Sequence, residues 1–493
     1  MKRVYAIPRK DDQIYWKMNV NFELRIENTM KRLSFLFIFS LIALFSAAQA
    51  KYVFFFIGDG MGPHQVLATE MYLAELDGKI GRKSLLMTTF PYSGQVATFS
   101  ASSGITDSAA SGTCLASGKK TNNGMIGQTP DSIAVTSVAS RLKEEGWGIG
   151  IMTSVTIDHA TPSSHYAHTP SRNDYYIIGT QLAESGFDFF GGSGFYHPQD
   201  KQNPSAPNLY DLCEEKGYVL AGGYADAKAK VGAKKMLVVP EVRLADRSRH
   251  AGALPYAIDR KEGELSLPEL VEVAIAQLSS HERFFMMAEG GKIDYASHAN
   301  DGGTVLREVM DFDNAIKVAY DFYMQHPDET LIVITADHET GGMALGNSDY
   351  VLNLKVLAEQ KCSSDLLSDQ LSDLYKKAGK DLTWEQVKEV ISANTGLYAA
   401  VEMTEPEDQE LQEAYANMMQ HQGVEKTLYK DLNALAAKSL AILNEKSRLG
   451  WTSKGHTASA VPVFAIGVGA ERFTGWHDNT EIAPLIYEAT QGN

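Results

Sequence analysis

Three uninterrupted apolar runs each stop at an acidic residue, and this pattern constrains the fold more than any other feature of the chain. Tyr52–Ile57 runs into Gly58-Asp59-Gly60, residues 284–288 into Glu289-Gly290, and residues 331–336 into Asp337-His338. A strand with one wet face alternates apolar and polar residues, whereas a continuous apolar run fits a strand covered on both faces. Residues 148–154 and 461–468 read the same way, and helical patterns at 63–76, 132–145, 268–280 and 303–324 lie between the runs. This alternation predicts an α/β fold, with a large, mostly parallel central sheet and helices on both faces. The carboxyl ends of parallel strands share one edge, and ligands bind there. Asp59, Glu289 with Asp294, and Asp337 with His338 are therefore expected to converge.

A second feature is the stretch Thr106-Asp107-Ser108-Ala109-Ala110-Ser111-Gly112-Thr113. It reads as a capped helix start with Ser108 in the first turn. The free N–H groups and the helix dipole favour an anion there. Taken alone it also describes any Ser/Ala-rich capped helix. The loop 158–168 holds His159, Thr161, His165 and His168, with Arg172 just beyond. Alone these are ordinary solvated loop residues. Asp294 and His298 stand four apart, on one face of a helical turn, which suits a single metal ion.

Carboxylates gathered with His298, His338 and His456 in a cleft require a compensating cation. A mixed His/Asp set without cysteine suits Zn²⁺ in an open arrangement. An all-oxygen set such as Asp59, Thr161 and Glu289 suits Mg²⁺.

The formal net charge is −16 over 493 residues, which argues against a nucleic-acid partner. An anionic substrate would then need strong local positive charge, such as metal ions. The three cysteines, Cys114, Cys213 and Cys362, form no paired motif. Met30-Lys31-Arg32, the apolar stretch 33–46 and Ala48-Gln49-Ala50 together read as a secretory signal peptide at 30–50. The apolar core is short for a membrane span, so no stable anchor is expected. Residues 1–29 read as an upstream segment before the true start. The mature chain is expected to begin at Lys51, after cleavage at Ala50, and to work in the periplasm or outside the cell. Residues 185–265 are glycine-rich and read as irregular, with a strand-like piece at 235–239. Residues 350–448 are charged and helix-prone (383–393, 409–419, 428–445), and read as a helical insertion outside the sheet of a single catalytic domain, 51–493.

Taken together, Gly58-Asp59-Gly60-Met61-Gly62, Thr106-Asp107-Ser108-Ala109, His159-Ala160-Thr161-Pro162, Glu289-Gly290 with Ile293-Asp294 and His298, Thr335-Ala336-Asp337-His338-Glu339, and Gly455-His456-Thr457 resemble the alkaline phosphatase family, in family order. The resemblance implies a metal-dependent phosphomonoesterase with Ser108 as nucleophile and a phosphoseryl intermediate. It implies one zinc held by Asp294, His298 and His456, and a second by Asp59, Asp337 and His338. It implies a magnesium shared by Asp59, Thr161 and Glu289, and a bidentate phosphate clamp at Arg172. Family members are often homodimers, and that expectation carries over. Some members have an acid where this chain has His159 and a lysine where it has Tyr295. His159 is either a direct ligand of the third metal or a group acting through water; the preference of magnesium for oxygen favours the second. Two other classes compete: a diesterase or sulfatase on the same scaffold, and a binding protein without turnover. The chain holds no Cys-x-Pro-x-Arg sulfatase signature, and a binder needs no nucleophile at a helix start.

Overall fold

The computed structural model describes residues 49–347, 350–420 and 423–492. Apart from Gln49 and Ala50, the expected signal peptide and upstream segment lie outside the described residues. Ten strands form one sheet: β1 (Tyr52–Ile57), β2 (Tyr92–Ala97), β3 (Gly148–Thr153), β4 (Phe189–Gly191), β5 (Val219–Gly222), β6 (Met236–Val239), β7 (Phe284–Glu289), β8 (Thr330–Thr335), β9 (Val461–Gly467) and β10 (Gly475–Asp478). Their order is β10-β2-β9-β8-β1-β7-β3-β4-β6-β5. All adjacent pairs are parallel except those made by β9, which runs antiparallel between β8 and β2.

The reason the central strands are continuously apolar is visible in β1. Phe54 packs edge-on against Phe284, and Phe56 against Phe312 of the long helix Gly302–Tyr323. Phe55, pointing the other way, faces His165. Both sheet faces are thus covered, and Phe54, Phe55 and Phe56 are all buried. Each such side chain contributes about 1.5–3 kcal/mol by leaving water. Register then sets the site: Ile57 pairs with Glu289 on one side and Thr335 on the other, and Thr153 pairs with Glu289. The acids at these strand ends therefore emerge at one edge.

Three expectations need correction. Residues 132–137 are not helical; the helix is Val138–Glu144, because Ser137 caps it by accepting from Ser140 N–H. Residues 185–265 are more regular than their glycines suggest, supplying β4, β5 and β6 at one side of the sheet. The expected helix 428–445 begins only at Ala434; before it stands an antiparallel hairpin, Val424–Lys426 with Asp431–Asn433. Asn433 caps the helix by accepting from Leu435 N–H, which fixes the later start. Among the described residues, 350–448 adds no strand to the main sheet.

Candidate metal centre and nucleophile

Ser108 opens the helix α1 (Ser108–Ser117), with Asp107 as N-cap accepting from Ala110 N–H. The helix is built from small residues because it must lie close to the chain beneath it. A Cβ on Gly112 would come 2.7 Å from Ser164 Oγ and 3.3 Å from the Thr161 Cα. Ser111 Oγ donates to the Asp337 carbonyl at 2.6 Å, tying α1 to the end of β8. Gly60, at φ +74°, lets the turn after β1 approach the helix α2 (Lys292–His298); a Cβ there would meet Asp294 Cα at 2.8 Å.

These contacts bring Ser108, Asp59, Glu289, Asp294, His298, Asp337, His338 and His456 to one place. His338 Nε2 lies 3.2 Å from Ser108 Oγ, 3.4 Å from Asp59 Oδ1 and 3.2 Å from Asp337 Oδ2. Asp294 Oδ1 lies 3.3 Å from His298 Nε2 and 3.7 Å from His456 Nε2, and these two nitrogens are 3.2 Å apart. Asp59, His159 and Glu289 form a third group, with one atom of each within 4.8 Å of the others. His456 reaches the cluster through a two-residue ladder, in which it pairs with Thr340 while Thr457 pairs with Glu339. Its ring stacks on His338 with centroids 3.5 Å apart.

The imidazole tautomers follow from the partners. A carbonyl only accepts, so His456 Nδ1–H donates to Thr106 O at 2.9 Å, and His298 Nδ1–H donates to Lys454 O. Thr340 Oγ1 donates to Asp294 Oδ1 at 2.5 Å and so accepts from His338 Nδ1–H. In their neutral form all three histidines therefore turn an Nε2 lone pair toward carboxylate oxygens. Both oxygens of Asp59, Asp337 Oδ2, Glu289 Oε1 and Thr161 Oγ1 are buried without a hydrogen-bond partner. Lone pairs crowded this closely repel one another unless cations lie between them. The donor set thus fits metal ions, with nitrogen and oxygen in the first two groups and mostly oxygen in the third.

Electrostatics agree. Burial first, then the carboxylates around them, push Asp59 well above its ordinary range and Asp337 to about 8. Burial pushes Glu289 up to about 7. Burial also opposes the Asp294 carboxylate, but the positive charge that His298 above all, and His456 and His338, carry when protonated outweighs it and holds Asp294 well below its ordinary range.

Arg172 Nη1 donates to Asp107 Oδ2 at 3.1 Å, and Nη2 donates to His159 Nε2 at 3.2 Å. Burial, then Arg172, lowers the His159 pKa to about 3, so the ring is neutral and its proton sits on Nδ1. That nitrogen is a donor, buried without a hydrogen-bond partner, and a donor suits an outer role through water better than direct ligation. His165 and His168 play no part: His165 lies under the sheet beside Phe55 and Phe285, and His168 Nδ1 faces Gly127 O at 2.7 Å.

The contacts of four further residues escape a reading of the sequence. Glu339 accepts from Gln65 Nε2, Thr457 Oγ1 and the Gly342 and Met343 N–H groups, locking the ladder that carries His456. Thr340 bridges two groups as described. Asp107 joins the helix cap to Arg172. Tyr429 donates to Asp294 Oδ2 at 2.8 Å from the hairpin turn. Their partners lie far off in sequence; only the Asp-Ser cap gave a local signal. A cavity of about 800 Å³ opens beside Arg172 and His159, walled by Tyr175, Tyr256, Tyr295 and Tyr429.

The alkaline phosphatase family model matches residues 50–186 and 250–491, passing over 187–249 rather than the helical segment. Alkaline phosphatase 4 of Bacillus subtilis (strain 168) is 31% identical over 90% of this chain and 89% of its own length. The repressible alkaline phosphatase of Saccharomyces cerevisiae is 28% identical, over 91% and 82% respectively. The cold-active alkaline phosphatase of a psychrophilic Shewanella superposes with a TM-score of 0.75 at 27% identity, covering 89% of this chain and 99% of that one. The Thermus thermophilus alkaline phosphatase does so at 0.70 and 25%, covering 91% and 94%. With its strand-end acids, histidines and helix-borne serine arranged as described, this chain belongs to the alkaline phosphatase family.

Proposed function

We propose that the chain is a periplasmic or secreted phosphomonoesterase that works through a phosphoseryl intermediate at a site for two zinc ions and one magnesium. The observation that carries this reading is the convergence of three Nε2 lone pairs and the partnerless carboxylate oxygens beside Ser108 Oγ. Asp294, His298 and His456 would hold one zinc, and Asp59, Asp337 and His338 the other. Asp59, Thr161 and Glu289 would hold magnesium, with His159 supporting it through water. When bound, these ions lower the pKa of the attacking hydroxyl and water and neutralise charge on the transferring phosphoryl group.

Arg172 holds two phosphate oxygens in its fork, kept in place by Asp107. Ser108 Oγ gives its proton to solvent and attacks phosphorus in line; the bond to the ester oxygen breaks, and that oxygen takes a proton from solvent and departs as the alcohol. A water oxygen then attacks phosphorus from the opposite side, the bond to Ser108 Oγ breaks, and phosphate leaves. Dividing the reaction lets one site serve two easier displacements.

A metal-loaded enzyme at alkaline pH should hydrolyse p-nitrophenyl phosphate far faster than bis-p-nitrophenyl phosphate, with both activities lost on chelation. Preference for the diester would overturn the monoesterase reading. Absence of turnover with metals bound would make the cluster a binding site.

A further inference from the structure

The helical segment 350–448 does not simply lie beside the site; one of its residues enters it. The hairpin Val424–Lys426 and Asp431–Asn433 turns through 427–430, and the turn is pinned at several points. Thr427 Oγ1 donates to Lys430 O at 2.6 Å and accepts from Lys430 N–H at 3.1 Å. Lys430 Nζ donates to Asp369 at 2.8 Å, and Asn433 N–H donates to Ser368 Oγ at 2.8 Å, so the hairpin is tied to the helix Ser364–Ala378.

At the tip, the Tyr429 ring lies on the Tyr295 ring with centroids 3.4 Å apart and planes 13° apart. The edge of His298 meets the same ring at 5.4 Å. The hydroxyl donates to Asp294 Oδ2 at 2.8 Å. The two oxygens of Asp294 are thereby divided. Oδ1 faces His298, His456 and the Thr340 hydroxyl, whereas Oδ2 is turned to Tyr429.

We propose that Tyr429 is a positioning residue that fixes the orientation of Asp294 toward His298 and His456, so that the helical segment helps complete the metal site. The inference rests on the metal reading above. Its logic is that of an outer partner: a ligand held by a second hydrogen bond keeps its orientation without a metal, so less order is lost on binding. The stacked Tyr295 supplies rigidity to the ring that carries the hydroxyl.

The alternative, a tyrosine that merely fills space, makes a different prediction. Tyr429→Phe keeps the ring and its stack and removes only the O–H donor. Bound zinc in the full-length wild-type and Y429F enzymes would be titrated with a chelator, and the zinc equivalents released counted at each concentration. The expected result is one equivalent in Y429F released at about 10–100-fold lower chelator, with the others unchanged. Turnover of Y429F should fall at limiting zinc and recover with excess zinc, with KM unaltered. Leu428→Ala, which trims the same exposed tip without touching the hydroxyl, should release zinc like the wild type.

Release from Y429F at the wild-type chelator concentration overturns the inference alone. Equal weakening in L428A and Y429F overturns it too, since the effect would then belong to hairpin packing. A wild-type enzyme that holds no zinc overturns the metal reading and this inference with it.

Discussion

Ser108 Oγ and His338 Nε2 lie 3.2 Å apart, although 230 residues separate them in the chain. The contact joins the start of α1 to the end of β8 and puts the hydroxyl beside the candidate metal-binding group of Asp59, Asp337 and His338. Replacing Ser108 with Ala removes the proposed nucleophile while leaving those carboxylates intact. Phosphomonoesterase turnover should fall by more than about a hundredfold, since groups acting as one catalytic unit are lost together. Acid-quenched wild-type enzyme should carry covalent phosphate and S108A none. Near-normal turnover in S108A would remove Ser108 from the mechanism.

Arg172 is held by Asp107 on one side and His159 on the other and lines the cavity. Arg172→Ala should weaken inhibition by inorganic phosphate about 10–100-fold, the size of one or two charge-assisted hydrogen bonds. Arg172→Lys should restore little of it, because an ammonium lacks the planar fork. Equal phosphate inhibition in all three enzymes would take Arg172 out of phosphate binding.

Metal loading should release protons at neutral pH. In the metal-free chain, burial and neighbouring carboxylates hold Asp59 well above its ordinary range and Asp337 at about 8, so Asp337 is mostly protonated at pH 7; Glu289, near 7, is about half so. A cation must displace those protons, so metal affinity rises with pH through the range 7–8. Calorimetric titration in two buffers of different ionisation enthalpy would measure the release. No net release at pH 7 would mean these carboxylates are already ionised.

Glu339 and Thr457 face each other across the short ladder that presents His456. The Glu339 carboxylate is buried and accepts four hydrogen bonds. Glu339→Ala leaves those donors unsatisfied and should cost about 3 kcal/mol or more in unfolding free energy. It should also weaken zinc binding at the His456 group. Denaturant melts of the metal-free and loaded forms separate the two effects, and an unchanged zinc affinity would show that the ladder does not position His456.

Glu308 supplies a pH dependence away from the metal site. It is buried on the helix Gly302–Tyr323 and accepts from Ala257 N–H at 2.6 Å. Burial first, then Asp311, raises its pKa to about 7, against the pull of Lys292. A raised folded pKa means stability that is complete below the unfolded value and lost as pH climbs through the folded one. Glu308→Gln should therefore gain on the wild type between about pH 4.5 and 7, by up to about 3 kcal/mol. A constant difference across that range would place the Glu308 pKa near its ordinary value.

The hydrophobic pattern of this sequence determined its layers. Runs such as Tyr52–Ile57 are apolar on both faces because both faces are covered, and that physical demand is local and legible. The ends of those runs marked where Asp59, Glu289 and Asp337 would emerge, and the Asp107 cap marked Ser108. Tertiary structure alone decided what those ends touch. Nothing within a few residues of Tyr429 indicates that its hydroxyl meets Asp294, 135 positions away. Its stretch is helix-prone, and the hairpin that replaces the expected helix is held by contacts to Ser368 and Asp369. The same holds for Glu339 with Thr457, Thr340 with Asp294, and the tautomer of each histidine. Local propensity fixes which segments can become strands and helices. Hydrogen bonds across long loops are chosen only when packing brings their partners together, and the arrangement of the candidate metal-binding side chains depends on those bonds.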